Sequence, residues 1–187
     1  MPHINPIHIL IAAMALAFLV TFLTASPVIS FLRAKKLGQQ IRDDGPQRHL
    51  SKAGTPTMGG VVILAGVILG TAGSWYFFPK QFWFSVLLLA LTTAVAAIGS
   101  IDDWGKIRRG RSLGLRAREK LILQLIVAAL FVFGLVVGLD NGTTIGIPFL
   151  GEVDLHWAYW PVAILFVAGM SNAVNLTDGL DGLAAGS

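Results

Sequence analysis

Residues 81–101, QFWFSVLLLALTTAVAAIGSI, carry no charged side chain, and Asp102 and Asp103 follow them directly. Twenty-one consecutive residues of this kind are enough to cross a bilayer, because about 20 apolar residues span a hydrocarbon core of ~30 Å. The pattern recurs along the chain. Residues 1–32, 53–79, 121–139 and 155–177 also lack Asp, Glu, Lys and Arg. With 55% hydrophobic and 13% charged residues, a soluble domain of 187 residues has no use for five such runs. The chain is therefore read as an all-α polytopic membrane protein with five spans: within Ile4–Leu32, with Pro27 near its end; about Pro56–Phe78; from Phe82 to about Ile101; about Leu121–Leu139; and about Trp157–Val174. Residues 1–187 form one membrane domain. The small-residue run that ends at Ser187 looks like the start of another helix, as in a fragment of a longer protein.

The charges orient this arrangement. Of 14 Lys and Arg, all but Lys80 fall within Arg33–Lys52 or Lys106–Lys120. Cytoplasmic loops collect Lys and Arg, so both stretches belong inside and a nucleic-acid partner is not needed to explain the basic pI. Alternating spans then put the N-terminus, Lys80 and the 140–156 connection outside, and residues 175–187 inside. Trp75–Phe78 and Phe82–Phe84 read as aromatic belts around a tight turn at Pro79-Lys80-Gln81. Residues 143–155 hold the makings of a small hairpin. With no cysteine, disulfides, thiolate nucleophiles and Cys-ligated metals are excluded. The N-terminus lacks the basic region of a cleaved signal peptide.

Three polar segments thus converge on one membrane face. In the first, 44–60, Thr55 suits an N-cap and Pro56 a first helical position, so the segment starts span two; the same helix N-terminus, with Lys52 ahead of it, would also attract a phosphate. In the second, Asp102 and Asp103 close a membrane helix at its C-terminal end, which is unfavourable for anions, and an Asp102–Lys106 pair at i,i+4 offsets part of the cost. Charges held at such a boundary point to a cation or proton to be handled. In the third, Asn172 and Asn175 lie at the membrane boundary, Thr177 could cap a new helix, and Asp178 and Asp181 share a face if helical. Cations and helix ends suit a diphosphate; carboxylates suit Mg²⁺ and proton removal. Together they form the equipment of phosphoryl transfer, and the membrane setting implies a lipid reactant.

The segments Lys52-Ala-Gly-Thr-Pro-Thr-Met-Gly-Gly60, Asp102-Asp103-x-x-Lys106 and Asn172-Ala-Val-Asn-Leu-Thr-Asp-Gly-Leu-Asp-Gly-Leu-Ala184 resemble those of the phospho-N-acetylmuramoyl-pentapeptide transferases, within the polyprenyl-phosphate N-acetylhexosamine-1-phosphate transferase superfamily. The resemblance implies a Mg²⁺-dependent enzyme of the bacterial inner membrane with its active site on the cytoplasmic face. It would move phospho-N-acetylmuramoyl-pentapeptide from UDP to undecaprenyl phosphate, giving lipid I and UMP for peptidoglycan. By the same resemblance Asp102 is the candidate base, and Asp103 acts beside it as a metal ligand, with the main Asp ligand beyond Ser187. Lys52, Thr57, Asn175, Asp178 and Asp181 contact the nucleotide side, with Asp178 also placed among the catalytic groups, Asn172 is a further substrate-binding residue, and Lys106 and Lys120 hold phosphates. The family is about twice this length, so the isolated 187 residues are predicted to be inactive. A homodimer is compatible with the reading. The alternatives are a related transferase using another UDP-N-acetylhexosamine, a transporter or channel, and a non-catalytic membrane scaffold.

Overall fold

A computed structural model describes residues 6–34, 58–109, 114–149 and 151–177. They fold as helices α1 (Pro6–Ala34), α2 (Gly60–Ser74), α3 (Phe82–Arg109), α4 (Ala117–Phe133) and α5 (Tyr159–Thr177), with strands β1 (Thr144–Ile147) and β2 (Gly151–Asp154) between α4 and α5. Among the described residues four helical stretches are long and apolar enough to cross a membrane: Pro6–Ala34, Pro79–Arg108, Ala117–Gly138 and His156–Asn175. The all-α polytopic reading holds. The chain divides into two compact units, 1–114 and 115–187.

In the first unit α2 is shorter than the second span expected from sequence. Its 15 residues rise only about 22 Å, against ~30 Å of hydrocarbon. The expected start at Pro56 is corrected by Met58, which sits at φ +68°, outside the right-handed helix; the helix begins at Gly60 behind it. Thr55 and Pro56 themselves lie outside the described residues. At the other end Ser74 Oγ donates to the Thr71 carbonyl, and the chain turns through Pro79–Gln81 into α3. Trp75, expected in an interfacial belt, is half-buried. Its Nε1–H donates to Ser85 Oγ at 2.8 Å and its ring meets Phe82 edge-on, which fastens the turn between α2 and α3.

Glycine lets α2 approach α1 closely. A Cβ on Gly70 would lie 2.8 Å from the Ala13 carbonyl oxygen and 2.9 Å from Ala17 Cβ, and one on Gly66 would lie 2.7 Å from the Ala17 carbonyl oxygen. Lipid tails are as apolar as Leu, so burial alone does not drive membrane helices together; small residues that permit backbone contact do.

In the second unit α4 and α5 pack antiparallel. The pairs Lys120–Asn175, Gln124–Ser171 and Phe133–Trp160 run down the seam in opposite chain directions. Ala128 and Ala168 are buried between them. Past Phe133 the helix widens into a π turn over Gly134–Gly138, closed by the Leu139 N–H on the Gly134 carbonyl at 3.0 Å. The expected hairpin is present. β1 and β2 are antiparallel, with Ile145 opposite Val153 and Thr144 opposite Asp154.

Candidate active site

The acidic pair lies inside α3, not at its end. The helix continues from Ile101 to Arg109, so Asp102 sits about two turns before its last residue. This corrects the reading of Asp102 and Asp103 as the closing residues of the helix. The physical consequence is favourable, since the repulsion between a carboxylate and a helix C-terminus fades beyond the last turn. Lys106, in contrast, occupies the terminal turns where a cation is favoured.

Asp102 is buried, at 8% exposure. Removing a carboxylate from water is costly unless it is paired. The Lys106 ammonium supplies the pairing, at 2.8 Å from Asp102 Oδ2 and 3.1 Å from Asp103 Oδ1. The i,i+4 partnership read from the sequence is therefore present, and an i,i+3 contact is added to it. One cation shared by two carboxylates leaves this triad one negative charge in excess, while Asp103 stays about one-third exposed. The two carboxylates thus differ in environment: Asp102 is enclosed and Asp103 opens outward.

Gly114 completes the enclosure, which the sequence did not announce. A Cβ on Gly114 would lie 2.5 Å from Asp102 Oδ1 and 2.9 Å from its carbonyl carbon, and one on Gly105 would lie 3.4 Å from Gly114 Cα. The backbone at Gly114, within the second basic loop, rests directly on the carboxylate.

The second unit holds another part of the expected residue set. Lys120, in the first turns of α4, donates from Nζ to Asn175 Oδ1 at 2.8 Å. One turn further along, Gln124 Nε2 donates to Ser171 Oγ at 3.1 Å. Gln124 is 4% exposed, and its Oε1 has no hydrogen-bond partner among the described residues. Neither Gln124 nor Ser171 was singled out from sequence. The available signal was a lone amide in the uncharged run 121–139, one turn from Lys120. Asn172 is exposed on α5, three residues before Asn175. Thr177 is the last residue of α5, and the new helix it was expected to cap lies outside the described residues. Lys52, Thr57, Asp178 and Asp181 lie outside the described residues.

The described residues therefore bring together Asp102, Asp103 and Lys106 in one unit, and Lys120 and Asn175 in the other. Among the described residues no group of three His, Cys, Asp or Glu side chains is placed to hold a metal ion. The half-open Asp103 carboxylate fits the role of a single oxygen ligand to a hard cation such as Mg²⁺.

Residues 84–187 match glycosyl transferase family 4, and residues 52–64 match the phospho-N-acetylmuramoyl-pentapeptide-transferase signature 1. The chain is 47% identical over 184 residues to a phospho-N-acetylmuramoyl-pentapeptide-transferase of Pelotomaculum thermopropionicum, covering 93% of this chain and 54% of that protein. Similarity to the enzymes of the same description from Halalkalibacterium halodurans (44%, covering 96% and 55%) and Caldicellulosiruptor bescii (45%, covering 94% and 53%) is comparable. The chain spans about half the length of the curated relatives it matches.

Proposed function

Because this chain belongs to glycosyl transferase family 4 and follows the phospho-N-acetylmuramoyl-pentapeptide transferases over nearly all of its length, we propose that it contributes to the synthesis of lipid I in a bacterial inner membrane. An oxygen of undecaprenyl phosphate attacks the sugar-linked phosphorus of UDP-N-acetylmuramoyl-pentapeptide. A new diphosphate bond forms to the lipid, the bond to UMP breaks, and UMP leaves. The observation that carries this reading is the match of the Lys52–Leu64 segment to the transferase signature, on the same chain as the Asp102–Asp103–Lys106 cluster.

In this reading Asp102 takes the proton of the lipid phosphate. Its burial and its ion pair hold the carboxylate in one orientation before substrate arrives. Asp103, more open, serves as a ligand to Mg²⁺, which when bound neutralises diphosphate charge. Lys106 and Lys120 hold phosphate oxygens, and Asn175 aims the Lys120 ammonium. Lys52, Thr57, Asn175, Asp178 and Asp181 belong to the nucleotide side, and Asn172 is a further substrate-binding residue. Topologically, the reading needs the two basic loops and the end of α5 on the cytoplasmic face.

The test is transfer by the full-length protein in membranes supplied with undecaprenyl phosphate. Formation of lipid I and UMP from the muramoyl-pentapeptide donor, and not from UDP-N-acetylglucosamine, is the expected result. Turnover with the second donor alone would replace this reading by the related transferase. Asp102→Asn is expected to lower turnover nearly to background while the protein still accumulates in the membrane; near-normal activity would remove Asp102 from the mechanism. The isolated 187 residues are expected to make no lipid I.

A further inference from the structure

The β1–β2 hairpin takes no part in the proposed chemistry, yet its construction is specific. Antiparallel pairing sorts its side chains cleanly. Ile145, Ile147 and Val153 share one face, while Thr144, Glu152 and Asp154 share the other. Both carboxylates are thus on one side, and the opposite side has no charge. At the tip Phe149 is fully exposed and sits at φ +68°, a left-handed conformation that a bulky residue rarely adopts. Trp157, at the head of the His156–Asn175 span, is 81% exposed.

The base of the hairpin is clamped. Asp154 accepts hydrogen bonds from the Thr143 hydroxyl and, at 2.9 Å, from the His156 backbone N–H, and His156 Nδ1 lies 2.9 Å from the other carboxylate oxygen. Five residues separate the π turn from β1, and only Leu155 separates β2 from the next helical turn. The hairpin is therefore tethered at both ends to segments that cross the bilayer. A four-residue strand is about 13 Å long, whereas the interfacial layer is roughly 5–8 Å thick on each side. Upright, the hairpin would carry Phe149 clear of the lipid. Flat, it would lay the uncharged face on the lipid and turn Glu152 and Asp154 to water. A two-stranded ladder keeps unpaired N–H and C=O groups at both edges, which the hydrated interface satisfies and the hydrocarbon core does not.

We propose that the hairpin lies flat in the bilayer interface, with Phe149 and Val153 among the lipid headgroups and upper acyl chains, as an anchor for the α4–α5 pair. This rests on the membrane-spanning fold and is independent of the transferase reading.

The chain contains no cysteine, so single labels are straightforward. Spin labels at Phe149→Cys, Val153→Cys and Glu152→Cys are introduced one at a time into the full-length protein with no other cysteine. Each variant is reconstituted in liposomes of phosphatidylethanolamine and phosphatidylglycerol. The expected result is a ratio of oxygen to water-soluble nickel-chelate accessibility several-fold higher at 149 and 153 than at 152. Equal ratios at all three positions would overturn the proposal. So would a label at 149 shielded from both reagents, which would mean that protein covers the tip.

Discussion

Asp102 shows how far a single residue can be read in advance. Its position after an uncharged run suggested the end of a helix, which lies two turns further on, whereas its spacing of four residues from Lys106 made an ion pair legible, and the pair is present. Its burial was not legible, because that depends on Gly114, twelve residues away within the second basic loop. A side chain at Gly114 must displace either the carboxylate or the backbone that covers it. Gly114→Ala is accordingly expected to lower lipid I synthesis by about tenfold to a hundredfold, the scale at which small misplacements of a reacting group are felt. Activity of the variant protein in membranes, normalised to its abundance there, checks this; an unchanged rate would show that the loop yields without moving Asp102.

At the scale of elements, apolar runs announced the helices, and tertiary contacts set their limits. α2 stops short because Met58 leaves helical geometry and because Trp75 is engaged by Ser85 across the turn. The α4–α5 seam carries an interhelical hydrogen bond that the run 121–139 barely hinted at. Gln124→Leu removes the donor to Ser171 and is expected to lower unfolding stability by about 1 kcal/mol, the usual worth of such a bond in a membrane. A fall in the thermal midpoint in detergent measures it, and restoration by exchanging the pair (Gln124→Ser with Ser171→Gln) would assign the loss to the bond. The hairpin carries its own pH signature. The Thr143 hydroxyl, then the His156 N–H and the charge of His156, hold the Asp154 carboxyl below the usual carboxylate range. A carboxyl whose folded pKa is depressed stabilises above its unfolded value, near 3.9, and loses that contribution as pH falls through the lowered folded value. Amide exchange at His156 should therefore stay slow down to about pH 4 and quicken only in stronger acid; loss of protection at pH 6 would contradict the clamp.

For the whole molecule, function depends on which surfaces share an aqueous compartment. Cysteines placed at Arg108, Arg118 and Lys80 in the full-length protein, probed in intact cells with a membrane-impermeant maleimide, are expected to react at Lys80 alone. Labelling of Arg108 and Arg118 from opposite sides would end the idea of one catalytic face. By itself the sequence determined the membrane class, the rhythm of spans and loops, the hairpin, the family and the Asp102–Lys106 partnership. These follow from local rules, namely the length of an uncharged run, the spacing of one helical turn and the identity of short motifs. Only the tertiary structure decided where α2 begins, that α3 carries its carboxylates two turns inside, that Gly114 encloses Asp102, and that Gln124 and Asn175 meet α5 and α4 partners across the seam. Each of these depends on contact between residues distant in the chain, and neither hydropathy nor helical spacing encodes which distant backbone will come to rest on a given side chain.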